Sequence, residues 1–110
     1  ATHNTRERNA MEAKVTNTDS STVIHLSGRF DFNSHREFRE AVEGALKETR
    51  PILEVDLAGV DYLDSSALGM LLMLRDKARS NGRSVALANC RGAVKQVIEI
   101  ANFSKLFPVS

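Results

Sequence analysis

The sequence predicts an α/β fold: a mixed β-sheet of four to five strands with helices packed mainly on one face. Three observations carry this. Segments with a period of two alternate along the chain with segments whose apolar residues recur every three or four positions, the pattern of strands joined by crossover helices. The first two strands are separated only by the polar cluster Asn17-Thr18-Asp19-Ser20-Ser21, which makes them a hairpin rather than a crossover. Two strands carry polar residues on one face, His25, Ser27 and Arg29 in one and Glu54 and Asp56 in the other. Doubly covered parallel strands would be apolar throughout.

The predicted order is β-β-α-β-α-β-α, with a short strand at the end. Residues 12–16 form the first strand. Residues 22–30 form the second, with Ile24, Leu26, Gly28 and Phe30 pointing to the core. Ser34 followed by Glu37 reads as a capping box, and Phe38, Ala41, Val42, Ala45 and Leu46 give the helix behind it one buried stripe. That helix should end near Thr49, ahead of Pro51. Residues 52–57 alternate as a strand with Leu53, Val55 and Leu57 inward, and 58–64 read as a loop. A helix over 65–81 buries Ala67, Leu68, Leu71, Leu74 and Ala78, and Asn81-Gly82 ends it because both tolerate a left-handed backbone. Residues 84–88 form a strand and 93–101 a helix with the stripe Val94, Val97, Ile98 and Ala101. Phe103, Leu106 and Phe107 form an apolar tail.

The 110 residues suit one domain, placed at 11–110, with 1–10 as a flexible N-terminal tail and Met11 a candidate start. The tail is polar and lacks the apolar stretch of a secretory signal. No apolar run approaches the roughly 18 residues of a membrane helix. A net charge of +1 gives no field that would draw nucleic acid or an anionic membrane. The lone Cys90 cannot close an internal disulfide, which points to a reducing, cytoplasmic location, and its place after Val85-Ala86-Leu87-Ala88 reads as packing.

The informative segment is 59–72. Two hydroxyls, Ser65 and Ser66, stand where a loop becomes a helix. Asp64 or Ser65 can serve simply as the N-cap. The helix beyond is apolar nearly all round in its first half: Met70 and Leu72 flank the core stripe, and Gly69 and Met73 lie opposite it. Such a helix is either deeply buried or touches something else. Gly69 removes bulk and Met73 offers an adaptable contact, which makes a docking surface beside the serines unless a loop or the C-terminal tail covers Met73. A phosphoryl group on Ser65 would suit the helix start, where free N–H groups and the dipole favour an anion. It would place about −2 charge in that surface, next to Asp64, Asp61 and Asp31.

These residues carry a family resemblance. Leu26-Ser27-Gly28-Arg29-Phe30-Asp31, Val55-Asp56-Leu57 and Asp64-Ser65-Ser66-Ala67-Leu68-Gly69 resemble a STAS domain of the anti-sigma-factor antagonist (anti-anti-sigma) class, over roughly residues 12–107. The resemblance implies a partner-switching protein that binds an anti-sigma factor/serine protein kinase or a related regulator when unphosphorylated. Phosphorylation inactivates it and a metal-dependent serine phosphatase restores it. It implies Ser65 as the phosphoacceptor and places Asp31 near the site; with the helix-face reading above, the expected partner-binding set is Asp31, Asp64, Ser66, Gly69, Met70 and Met73, and Ser66 is the alternative acceptor. The resemblance equally admits a constitutive STAS subunit that docks on a membrane transport complex without phosphorylation. Ala67 departs from the glycine that members often carry after the serine pair.

Other chemistries lack their residues. His3, His25 and His35 have no metal-ligand spacing, no Gly-rich loop would cradle a nucleotide, and Ser65 has no Gly-x-Ser-x-Gly elbow. Asp56, Asp61 and Asp64 lack the paired acids at the end of the first strand that a response-regulator receiver would need. The expectation is a non-enzyme with no cofactor or metal, no direct contact with nucleic acid and no membrane insertion.

Overall fold

The computed structural model describes residues 11–110, so the expected tail at 1–10 and His3 lie outside the described residues. Strand β1 (Glu12–Asn17) pairs antiparallel with β2 (Ser21–Phe30) as the expected hairpin. β2 then pairs in parallel with β3 (Ile52–Leu63), and β3 with β4 (Ser84–Ala88), giving a mixed sheet of order β1-β2-β3-β4. Helices α1 (His35–Leu46) and α2 (Ser65–Ser80) make the two crossovers, and α3 (Gly92–Ile100) comes after β4. Parallel neighbours laid down in chain order, with crossovers of one hand, leave both crossover helices on one face of the sheet. A single core confirms this, joining Ile24 and Leu26 of β2, Val55 and Leu57 of β3, Phe38 and Val42 of α1, Leu71 and Leu74 of α2, and Val94 and Ile98 of α3.

The fifth strand shrinks to one parallel bridge between Leu87 and Val109. The Leu87 N–H donates to the Pro108 carbonyl at 2.8 Å, and the Ser110 N–H to the Leu87 carbonyl at 3.0 Å. Cys90 is buried, as expected of a packing residue, and burial pushes its thiol pKa up against the weaker opposing charge of Lys95.

Two local expectations are corrected. The segment 58–64, expected as a loop, is strand as far as Leu63. Its period of two breaks because β2 shifts register between His25 and Ser27 and again between Gly28 and Arg29. Gly59 lies inside this irregularity, where a Cβ would stand 2.7 Å from the Ser27 Cβ. The capping box also sits three residues earlier than expected. Asp31 caps a 3-10 turn, Phe32–Ser34, by accepting from the Asn33 N–H at 3.0 Å. The Ser34 hydroxyl accepts from the Asp31 N–H at 3.1 Å and donates to the Arg29 carbonyl at 3.0 Å, which takes it away from capping α1.

Candidate docking and modification site

The parallel register aligns Phe30 with Leu63, so β2 and β3 end together. The next residue of each strand is an aspartate, and the two lie side by side at the carboxyl end of the sheet. Asp31 caps the 3-10 turn, and Asp64 caps α2. The Asp64 N–H donates to the Phe30 carbonyl at 3.4 Å, its carboxylate accepts from the Ala67 N–H at 3.0 Å, and its carbonyl accepts from the Leu68 N–H at 3.2 Å. The extended backbone of Asp64 (φ −116°, ψ −174°) is that of a cap residue. Neither serine hydroxyl is needed for capping. Ser65 is exposed at the first helical position, and Ser66 is half-buried behind it.

Ser65, Gly69, Leu72, Met73 and Asp76 succeed one another at helical spacing along the open face of α2. Of these, Ser65, Gly69, Leu72 and Met73 are exposed and Asp76 is exposed beyond them. Met73 is 44% exposed, so neither a loop nor the C-terminal tail covers it. The tail is held elsewhere on the helix, where Arg75 Nε donates to the Leu106 carbonyl at 2.9 Å. A Cβ added at Gly69 would meet nothing within 4 Å. The fold does not need a glycine there.

Met70 does not belong to the exposed surface. It is only 2% exposed and joins Ala67, Leu71, Leu74 and Ala78 in the buried face of α2, while Leu68, expected in that stripe, is half-buried. The helix turns Met70 inward because α1 packs on that side, so Met70 supports the surface from below.

Three further residues around the site are not among the expected site residues. Phe32, in the 3-10 turn that packs against α2, is 63% exposed, an unusual position for a phenylalanine. Its signal was an aromatic in a polar turn, outside any periodic stripe. Arg29 reaches Asp31 at 3.6 Å and lies over the Tyr62 ring, 4.2 Å from its centroid. With Arg29 half exposed and the contact as long as 3.6 Å, the pair adds little stability, but it sets a cation beside the Asp31 carboxylate at the edge of the site.

Asp56 and His25, by contrast, belong to the uncovered face of the sheet, away from the serines. His25 Nδ1 is 2.8 Å from Asp56 Oδ2 and its Nε2 is 2.9 Å from the Thr16 hydroxyl. Asn89 donates to the other Asp56 oxygen at 2.7 Å. Burial pushes the Asp56 pKa up, but hydrogen bonds from Asn89, the Ala58 N–H and His25, with the charge of His25, outweigh it and hold the carboxyl below its ordinary value. Among the described residues no group of three or more side chains could hold a metal ion, and no helix is long and apolar enough to cross a membrane.

The fold and the helix-start motif define a class, and the chain belongs to the STAS domain family: the family profile described as "Mlab, STAS domain" matches residues 13–108. The chain is 47% identical over 88 residues to a STAS-domain-containing protein of Pseudomonas aeruginosa, covering 80% of this chain and 86% of that protein. It is 28% identical over 103 residues to the anti-sigma-F factor antagonist RsfA of Mycobacterium tuberculosis, covering 92% of this chain and 80% of that protein. Among solved structures, an anti-sigma factor antagonist from Mycobacterium paratuberculosis superposes with a TM-score of 0.81 at 22% identity, over 92% of this chain and 86% of that one. At that identity the likeness speaks for the fold.

Proposed function

We propose that the protein is an anti-sigma-factor antagonist of a partner-switching pathway, which docks on an anti-sigma factor/serine kinase or a related regulator through the exposed face of α2 and is turned off by phosphorylation of Ser65. The observation behind the proposal is the division of labour at the helix start. Asp64 caps α2, which leaves the exposed Ser65 hydroxyl free for modification beside Gly69 and Met73. A phosphoryl group at Ser65 would be tolerated by the fold, since the helix start favours an anion. It would add about −2 charge next to Asp31 and Asp64, and a partner that fits the neutral surface would be repelled or sterically blocked. A metal-dependent serine phosphatase then restores the active form. The proposal implies a cytoplasmic, non-enzymatic protein whose relative RsfA bears the same role in its name.

The test compares wild type, Ser65→Ala and Ser65→Asp for co-purification with an anti-sigma factor or serine kinase from the protein's own cells. The alanine variant is expected to retain the partner and the aspartate variant to lose most of it, with equal thermal stability. Equal retention of a transporter or its ATPase by all three, with no anti-sigma factor, would replace the proposal with the constitutive transport-subunit role.

A further inference from the structure

We propose that the free edge of β1 takes up an extended segment of a partner protein as a further strand of the sheet, with arginine or lysine side chains of that segment meeting Glu37 and Glu40 of α1. The proposal needs neither Ser65 nor the exposed face of α2. The two edges of the sheet differ. The outer side of β4 is closed by the bridge from Leu87 to Val109, whereas among the described residues β1 pairs only with β2. In an antiparallel pair every second residue directs its N–H and C=O away from its neighbour, so β1 presents a row of unused donors and acceptors. Edges of this kind are commonly blunted by a proline or a bulge. β1 contains no proline, its register with β2 runs unbroken from Glu12 against Ser27 to Asn17 against Thr22, and every residue of it except Ala13 is exposed.

Beside this edge lies a groove of about 270 Å3 between β1 and α1, lined by Ala13, Val15, Glu37, Glu40 and Ala41. Val15 is 37% exposed, so apolar surface is open to an incoming side chain. The lining holds two acids and no base. Lys14 alternates to the other face of the sheet, Arg36 is turned about 100° round α1 from Glu37, and Arg39 lines the opposite flank of α1, against α2. Among the described residues neither glutamate makes an ion pair, and Glu37 Oε2 is buried with no hydrogen-bond partner. A donor from outside would relieve that state. An added strand places every second side chain over the groove, about 6.8 Å apart. Arginine or lysine at those positions reaches Glu37 and Glu40, which neighbour one another on the surface of α1, and lays its methylene stem on Val15. A second copy is a poorer occupant, since pairing β1 with β1 about a two-fold axis sets the glutamates of both copies along one seam.

The probe is a fluorescein-labelled octapeptide in which arginine alternates with valine, and a twin has glutamate in place of arginine. Two further twins of the arginine peptide carry N-methyl groups on alternate backbone amides, one on each set. Anisotropy titrations use the full chain. The arginine peptide is expected to bind at least about tenfold more tightly than the glutamate twin at low salt, with the gap narrowing as salt is added. Of the N-methylated twins, one should bind at least about tenfold more weakly than the parent and the other as the parent does, because only one set of amides faces β1. Glu37→Gln combined with Glu40→Gln, with an unchanged melting curve, should erase the preference between the charge twins, and Met73→Glu should leave it as it is. Equal affinity for the charge twins, binding of neither, or N-methylation that weakens both twins alike or neither would overturn the proposal. A dimer of the chain alone that the arginine peptide dissociates would assign the edge to a second copy, and tighter peptide binding after removal of residues 1–10 would assign it to that segment; either would overturn it too. Failure of the Ser65 switch in cells, with these titrations as expected, would remove the regulation and keep the strand-addition edge.

Discussion

Gly69→Ala should make this protein more stable and less able to bind its partner. Glycine inside a helix costs roughly 0.5–1 kcal/mol relative to alanine, because it has more backbone freedom to lose on folding. Gly69 lies in the first half of α2, and a Cβ there would meet no atom within 4 Å, so the substitution carries no steric penalty to offset the gain. For a domain of this size, 0.5–1 kcal/mol corresponds to a rise in Tm of about 2–6 °C. Gly44 in α1 is the control: its Cβ would also meet nothing within 4 Å, yet it does not line the face that carries Ser65 and Met73. Both alanine variants should therefore gain stability in urea and thermal unfolding, while only Gly69→Ala should lose affinity for the partner. The cause would be a methyl group where the partner's backbone comes close. Gain of stability with full binding would show that the partner does not approach Gly69. A loss of stability would show that the helix surface is not open there, and with it the docking face would be refuted.

Further substitutions separate core from surface. Met73→Glu should change stability by about 0.5 kcal/mol or less, as exposed changes usually do, whereas Leu71→Glu places an unpaired charge in the core and should cost more than about 3 kcal/mol; thermal melts that move equally would place Met73 in the core. Gly59→Ala should destabilise by about 1–3 kcal/mol, the usual range for overpacking, because the new Cβ meets Ser27 Cβ at 2.7 Å and the Leu26 carbonyl at 3.1 Å; unfolding as late as wild type would mean that β2 and β3 can part there without cost. Asp56 supplies a pH dependence. Its carboxyl pKa is lowered in the folded state from an ordinary 3.8, so its contribution is full above that value and is lost as pH falls through the folded one. Wild type should lose stability from about pH 4 downward more steeply than Asp56→Asn, and parallel acid limbs in urea titrations would contradict this.

The sequence made the strands and helices legible wherever one face alone is buried. Ile24-Leu26, Leu53-Val55-Leu57 and Val94-Ile98 each carry a period that only one element satisfies, and they lie in the core as expected. It hid the outer half of β3 because the register shifts on either side of Gly59 put extra residues into that strand and break the alternation of residues 58–63. It left two cap candidates before α1, since Asp31 and Ser34 are both cap residues and only the path of the chain off β2 decides between them. The period of α2 puts Leu68 in the core stripe and Met70 at its flank, but α1 packs on the side of Met70 and turns it inward while Leu68 is left half-buried, a tertiary fact that no local window contains. Asp31 and Asp64 were brought to one place by the family resemblance; the pairing of Phe30 with Leu63 supplies the physical reason. Phe32 escaped notice because a lone aromatic in a turn has no period.

If the switch turns on Ser65, its phosphorylation must track the protein's output. The decisive experiment is phosphopeptide mass spectrometry on the protein purified from its own cells, across growth conditions that change that output. A single phosphoryl group is expected on Ser65, present in the inactive condition and absent in the active one. Phosphate on Ser66 with none on Ser65, or none on either serine in any condition, would show that Ser65 is not the switch.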